Sequence, residues 1–211
     1  MTSSPRTLGA LFYDQFELLD MYGPLEMFAS IEPGIEIVSV ADRKGPVGPV
    51  RGPKTDVEYD FEDCPKLDLL LVPGGLGTIA ALANEPLLDF LRKRSDEAEV
   101  VMSVCSGSAL LAKAGVLDGQ RATSNKQFFD LAAQQSDRVE WVPEARWVDA
   151  GKMVTSSGVS AGMDMAIGVI RRLYSDEEAE RICALTEYQP HTDPDTDPFA
   201  KYLNAMMPSE G

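Results

Sequence analysis

The sequence predicts an α/β fold in which a mainly parallel sheet is covered on both faces by helices. Two observations carry this. Strand-like and helix-like segments alternate along the chain, as crossover connections between parallel strands require. The strongest strand candidates, 67–72 and 99–104, are near-continuous apolar runs, the pattern of strands buried on both faces.

In chain order, residues 7–13 read as a short buried strand through Leu8, Ala10, Leu11 and Phe12. A helix follows with Pro24 in its first turn and Leu25, Phe28 and Ala29 at helical spacing. Residues 35–41 form the second strand. The stretch 42–60 is rich in Gly, Pro and charge and reads as a hairpin with strands at 47–50 and 56–59. After the strand at 67–72, Pro73-Gly74-Gly75 breaks the run, and helical stretches follow at 77–82 and 86–95. The strand at 99–104 turns at Cys105-Ser106-Gly107-Ser108 into a helix through Leu110, Leu111 and Ala114 that ends near Gly115.

A short helix is expected at 126–134 and short strands at 139–142, 146–149 and 152–155. Residues 161–173 are apolar at helical spacing, and a last helix covers 176–186. The proline-rich tail from Gln189 reads as extended and exposed. No repeat or linker divides the chain, so a single domain over 1–211 is expected.

Composition narrows the function. The 34 acidic residues outweigh 19 basic ones for a net charge of −15, which phosphate backbones would repel, so no nucleic-acid partner is expected. No apolar run approaches the roughly 18 residues that span a membrane, and Met1–Arg6 opens no signal peptide. The three cysteines, Cys64, Cys105 and Cys183, make neither a disulfide framework nor a metal-binding pair. A cytoplasmic protein with free thiols and no metal or cofactor is the expectation.

In open α/β sheets, ligands bind beyond the carboxyl ends of the strands. Three such ends carry notable residues. Ser103-Val104-Cys105-Ser106-Gly107 has the form of a nucleophile elbow with Cys in the serine position. Small Ser103, Gly107 and Ser108 permit the close strand-to-helix turn, and the helix N-terminus favours a thiolate. A cysteine packed as a small hydrophobe is the alternative. Such packing accounts for Cys64 and Cys183. The N–H of Gly75, paired with that of Ser106, is a candidate oxyanion-type hole. Asp20, beyond the first strand, is either a helix cap or a proton donor and acceptor for Cys105. Asn125-Lys126 reads first as a turn with an N-cap and second as a substrate contact. The sole histidine, His191, stands in the tail and is expected to be incidental.

These segments resemble the ThiJ/PfpI superfamily, and within it the isonitrile hydratases. The resemblance spans nearly the whole chain. It rests on Leu19-Asp20-Met21-Tyr22-Gly23-Pro24-Leu25-Glu26, Val72-Pro73-Gly74-Gly75, Val104-Cys105-Ser106-Gly107-Ser108, Gly115-Val116-Leu117-Asp118-Gly119 with Arg121-Ala122-Thr123, Ser157-Gly158-Val159-Ser160-Ala161-Gly162-Met163-Asp164 and Glu187-Tyr188-Gln189-Pro190. It implies a flavodoxin-like three-layer sandwich, a homodimer, and hydration of an isonitrile to an N-substituted formamide. Carried over by position, Cys105 would attack the isonitrile carbon to give a thioimidate and Asp20 would shuttle protons. Ser106 and Gly75 would contribute N–H groups. The sequence departs from the hydratase pattern at Ser106, where the group usually has Thr, and at Asn125-Lys126, which replaces a His-Trp pair. Glu17 is a rival to Asp20, because elsewhere in the superfamily an early glutamate partners the cysteine. A glyoxalase- or deglycase-like enzyme and a cysteine-based redox sensor are the alternatives that the resemblance leaves open.

Overall fold

A computed structural model describes residues 5–205. Its strands are β1 (Thr7–Leu11), β2 (Glu36–Ala41), β3 (Gly45–Val47), β4 (Thr55–Val57), β5 (Tyr59–Asp60), β6 (Leu69–Val72), β7 (Val100–Ser103), β8 (Arg121–Ala122), β9 (Glu140–Trp141), β10 (Trp147–Ala150) and β11 (Met153–Ser156). Its helices are α1 (Leu18–Ala29), α2 (Thr78–Ala81), α3 (Glu85–Glu97), α4 (Gly107–Lys113), α5 (Phe129–Ala133), α6 (Ala161–Leu173) and α7 (Asp176–Leu185).

The main sheet runs β10-β11-β7-β6-β1-β2-β5, and every neighbouring pair is parallel except β10–β11. Every residue of β6, β7 and β11 is buried, which is why these strands read as apolar runs. Helices α1, α6 and α7 pack together on one face, and α2 to α5 form the other layer. The predicted three-layer α/β sandwich is what the chain forms. The chain passes from β1 outward to β2, then returns across β1 to β6. That reversal makes the β1–β6 gap the topological switch point, the crevice where such sheets bind ligands.

Several predicted bounds shift. The first helix begins at Leu18 rather than beside Pro24, so Asp20 lies inside it. Nothing local marks that start, because the N-cap Glu17 makes no side-chain capping bond. Pro24 is tolerated mid-helix at the cost of one backbone bond, while Met21, Met27 and Phe28 bury the inner face. The hairpin forms between β3 and β4, and its continuation β5 joins the edge of the main sheet against β2. β8, which carries no strand pattern, pairs with β9 in a separate ribbon.

The tail is largely exposed, as expected, but it is not simply extended. It folds back so that the Arg146 and Trp147 N–H groups both reach the Pro194 carbonyl, and Asp197 is buried. It then closes in a 3₁₀ turn over Ala200–Tyr202.

Candidate active site

Cys105 sits directly after β7 with φ at +58°, in the left-handed region that costs a non-glycine residue conformational energy. The surrounding structure holds it there. Its N–H donates to the Ser157 carbonyl at 3.1 Å, and its own carbonyl accepts from the Ser108 and Ser124 hydroxyls, each at 3.2 Å. Two glycines make the turn possible. A Cβ on Gly107 would lie 2.4 Å from the Val72 carbonyl oxygen, and one on Gly74 would lie 2.5 Å from the Ser106 nitrogen. The elbow read from the sequence is therefore present in three dimensions.

Asp20 reaches the same point from α1. Its carboxyl is fully buried, and Oδ2 accepts the Gly74 N–H at 2.8 Å. Among the described residues, Oδ1 has no hydrogen-bond partner. The carboxyl does not cap the helix; the backbone N–H that it accepts lies in the loop after β6. Burial pushes Asp20 up to about 8, the nearby charge of Glu17 pushes the same way, and the Gly74 N–H and the Cys105 thiol oppose them. Asp20 therefore keeps its proton at neutral pH. Of the two rival carboxylates, Asp20 couples to Cys105, whereas Glu17 lines the pocket without that coupling.

The thiol departs from expectation. Burial, and then the Asp20 carboxylate, push Cys105 well above the ordinary thiol range. The short helix α4 does not leave a free thiolate, because desolvation outweighs its N-terminal N–H groups. What opposes the rise is local. The Ser106 backbone N–H favours the anion, and the Asn125 Nδ2 donates to Sγ at 3.1 Å. Asn125 fits its turn reading and adds a contact that neither sequence reading named, a donor to the thiol. Its Oδ1 accepts the Gln127 and Phe128 N–H groups at 2.9 and 3.1 Å, which caps the turn and points the NH₂ at sulfur.

Ser106 also departs from expectation. Gly75 does not present a free N–H as half of an oxyanion hole, because that N–H already donates to Ser106 Oγ at 3.2 Å. Ser106 Oγ in turn lies 2.9 Å from Thr78 Oγ1, a neighbour with no local pattern to mark it.

The site opens into a cavity of about 440 Å³. Cys105, Ser106 and Asn125 form its floor, and Leu76, Ile79, Phe199 and Tyr202 stand around its mouth. The aromatic pair comes from the C-terminal segment, where proline-rich sequence hides any pattern. Lys126 also lines the cavity, but its Nζ is committed to Thr123 Oγ1 at 2.9 Å and the Ala145 carbonyl at 2.6 Å. His191 lies elsewhere and packs within the tail, its Nε2 3.0 Å from the Thr196 carbonyl. Cys64 and Cys183 do not reach the cavity. No helix of the described residues is long and apolar enough to cross a membrane.

Residues 8–172 match the profile of the DJ-1/PfpI family. The chain is 34% identical over 203 residues to an isonitrile hydratase of Pseudomonas putida, covering 92% of this chain and 85% of that one. It is 29% identical to a deglycase of Pyrococcus abyssi, over 70% of this chain and 84% of its relative. Among solved structures it is similar to a ThiJ/PfpI family protein from Pseudomonas syringae, with a TM-score of 0.80, 31% identity and coverage of 96% and 90%. Its fold is also that of DJ-1beta from Drosophila melanogaster, with a TM-score of 0.78 at 18% identity over 88% and 99%. The sheet order, the elbow and these matches agree: the chain belongs to the DJ-1/PfpI family.

Proposed function

We propose that the protein hydrates isonitriles to N-substituted formamides through a thioimidate on Cys105. The observation that carries this reading is a carboxylic acid, Asp20, buried beside the thiol and pushed up to about 8. An isonitrile's terminal carbon must gain both a nucleophile and a proton, and a neutral acid beside a thiol supplies both. The similarity to an isonitrile hydratase supports the same reaction.

The chemistry balances in three steps. Sulfur bonds to the isonitrile carbon while Asp20 relays the thiol proton to that carbon, giving R–N=CH–S–Cys105. Asn125 and the Ser106 N–H stabilise the negative charge that develops on sulfur. Water then adds to the carbon, with one of its protons passing through Asp20 to nitrogen. Finally the C–S bond breaks, C=O forms, and the hydroxyl proton returns to sulfur. The Leu76, Ile79, Phe199 and Tyr202 rim suits an uncharged, apolar R group. The family resemblance also carries the proposal of a homodimer, which sedimentation would place at twice the chain mass of 23.0 kDa.

The decisive assay is formamide release from a simple aryl or alkyl isonitrile. Wild type is expected to turn over and Cys105→Ala to show none. Consumption of methylglyoxal with no formamide would instead put this chain with its deglycase relatives.

A further inference from the structure

Three hydroxyls line up behind the thiol. Tyr13 follows β1, Thr78 opens α2 after β6, and Ser106 follows Cys105 after β7. All three are buried, with Thr78 fully so. Tyr13 Oη lies 2.7 Å from the Pro73 carbonyl, 3.0 Å from Thr78 Oγ1, and Thr78 Oγ1 lies 2.9 Å from Ser106 Oγ.

The direction of this chain follows from counting hydrogens. A carbonyl only accepts, so the single Tyr13 hydrogen goes to Pro73. Burial raises the Tyr13 phenol far above its ordinary value, so it remains a donor across any working pH. Thr78 must then donate to Tyr13, which leaves its oxygen to accept from Ser106. Two other acceptors compete for the Ser106 hydrogen: the Gly75 carbonyl, 3.5 Å away and weaker, and the Cys105 sulfur, which draws it only when sulfur is anionic. With sulfur bonded to carbon in the thioimidate, and so uncharged, the Ser106 hydrogen goes to Thr78 and is turned away from the cavity. Its oxygen receives the Gly75 N–H and keeps one lone pair beside Cys105.

We propose that Tyr13 and Thr78 are positioning residues that fix Ser106 Oγ as an acceptor, so that it holds the water that hydrolyses the thioimidate. This rests on the hydratase reading above. The water donates one hydrogen to Ser106 Oγ, which aims its lone pair at the thioimidate carbon. The new C–O bond forms as the C=N π bond breaks, and Asp20 relays the water's other proton to nitrogen. A Ser106 free to rotate would offer its hydrogen to the water oxygen instead and block that lone pair. The chain serves hydrolysis and not formation of the C–S bond, so the two steps separate in a variant.

The test is Thr78→Val, which keeps the shape and removes the relay. On mixing with an aryl isonitrile, intact-mass spectrometry should show the protein plus one isonitrile accumulating in Thr78→Val and not in wild type. Formamide release should slow about tenfold, the scale of one neutral hydrogen bond. Thr78→Ser should restore release. Tyr13→Phe should give a smaller defect of the same kind, because Thr78 can still accept, and it tests the idea if Thr78→Val fails to fold. Equal slowing of both steps, or no adduct at wild-type rates, overturns the proposal. Absence of adduct and formamide in wild type overturns the hydratase reading itself, and this proposal with it.

Discussion

Two buried carboxylates stand within one fold and are treated in opposite ways. Asp164, on α6, is saturated: Oδ2 accepts from Arg146 Nε at 2.9 Å and is ion-paired with its Nη2 at 2.8 Å, while Oδ1 accepts from Tyr188 Oη at 2.5 Å and the His191 N–H at 2.8 Å. Among the described residues, Asp20 has one backbone donor, no cation, and an oxygen with no partner. Burial alone does not decide what a carboxyl does; its partners do. Asp164 ties the C-terminal segment to α6 and, with Asp197 also paired to Arg146 at 3.5 Å, holds the wall that carries Phe199. Asp20 is left unpaired beside the one sulfur in the cavity, the arrangement of an acid meant to move its proton.

The sharpest way to break this contrast is to make the same change at both. Asp20→Asn is expected to lower formamide turnover by roughly 10²–10⁴-fold, the span of a lost general acid. It is also expected to stabilise the fold. The folded-state value of Asp20, about 8, lies above its unfolded one, so its contribution is complete in acid and is lost as pH rises from the carboxylate range through about 8. The gain in Asp20→Asn should therefore be largest at and above pH 8, on the order of a few kcal/mol. Asp164→Asn should do the reverse. It removes the nearer of the two carboxylates paired with buried Arg146 and leaves Asp197 at 3.5 Å, so about 2–4 kcal/mol of stability is lost while kcat per folded molecule stays near wild type. Denaturation curves beside initial rates decide it. If both variants lose activity and stability together, the two sites are not distinct in kind.

A smaller effect tests the sulfur. Asn125→Ala removes the Nδ2 donor while Asp20 stays in place. The thiol should rise further, and alkylation by iodoacetamide at pH 8 should slow about tenfold, the weight of one hydrogen bond to an anion. Unchanged alkylation would mean that the elbow N–H alone sets the thiol.

These contrasts also show what the sequence could express. β6 and β7 were legible because strands buried on both faces need unbroken apolar runs, and Cys105 because an elbow demands small residues around it. Helix 161–173 was legible to the residue, since its apolar spacing matches its buried face. The start of α1 was not, because Glu17 caps nothing and Pro24 imitates a first turn. From the residues themselves the coupling of Asp20 to Cys105 was legible only as a shared sheet edge, and the family resemblance alone gave it a role. Its protonation depends on what is absent around Oδ1, and no local pattern encodes an absence. Asn125 carried an N-cap signal that concealed its second face. The tail's exposure was legible from its prolines and acids, but its fold-back was not, because Asp197 and Phe199 are placed by Arg146, far away in sequence.

The finest test moves the acid without touching it. Glu17 lies at the cavity, and its charge is one of the forces that raise Asp20. If Asp20 must be protonated to act, turnover holds through neutral pH and falls as pH rises through about 8. Glu17→Gln removes a nearby negative charge and leaves Asp20 buried, so the carboxyl loses its proton more easily. The falling limb of the pH–rate profile should then shift to lower pH, by a fraction of a unit to about one unit, with the plateau rate little changed. The direction is the informative part. A shift to higher pH, or a limb that stays in place, would mean that the group titrating in the profile is not Asp20. The division of labour between the two buried carboxylates would then need another acid.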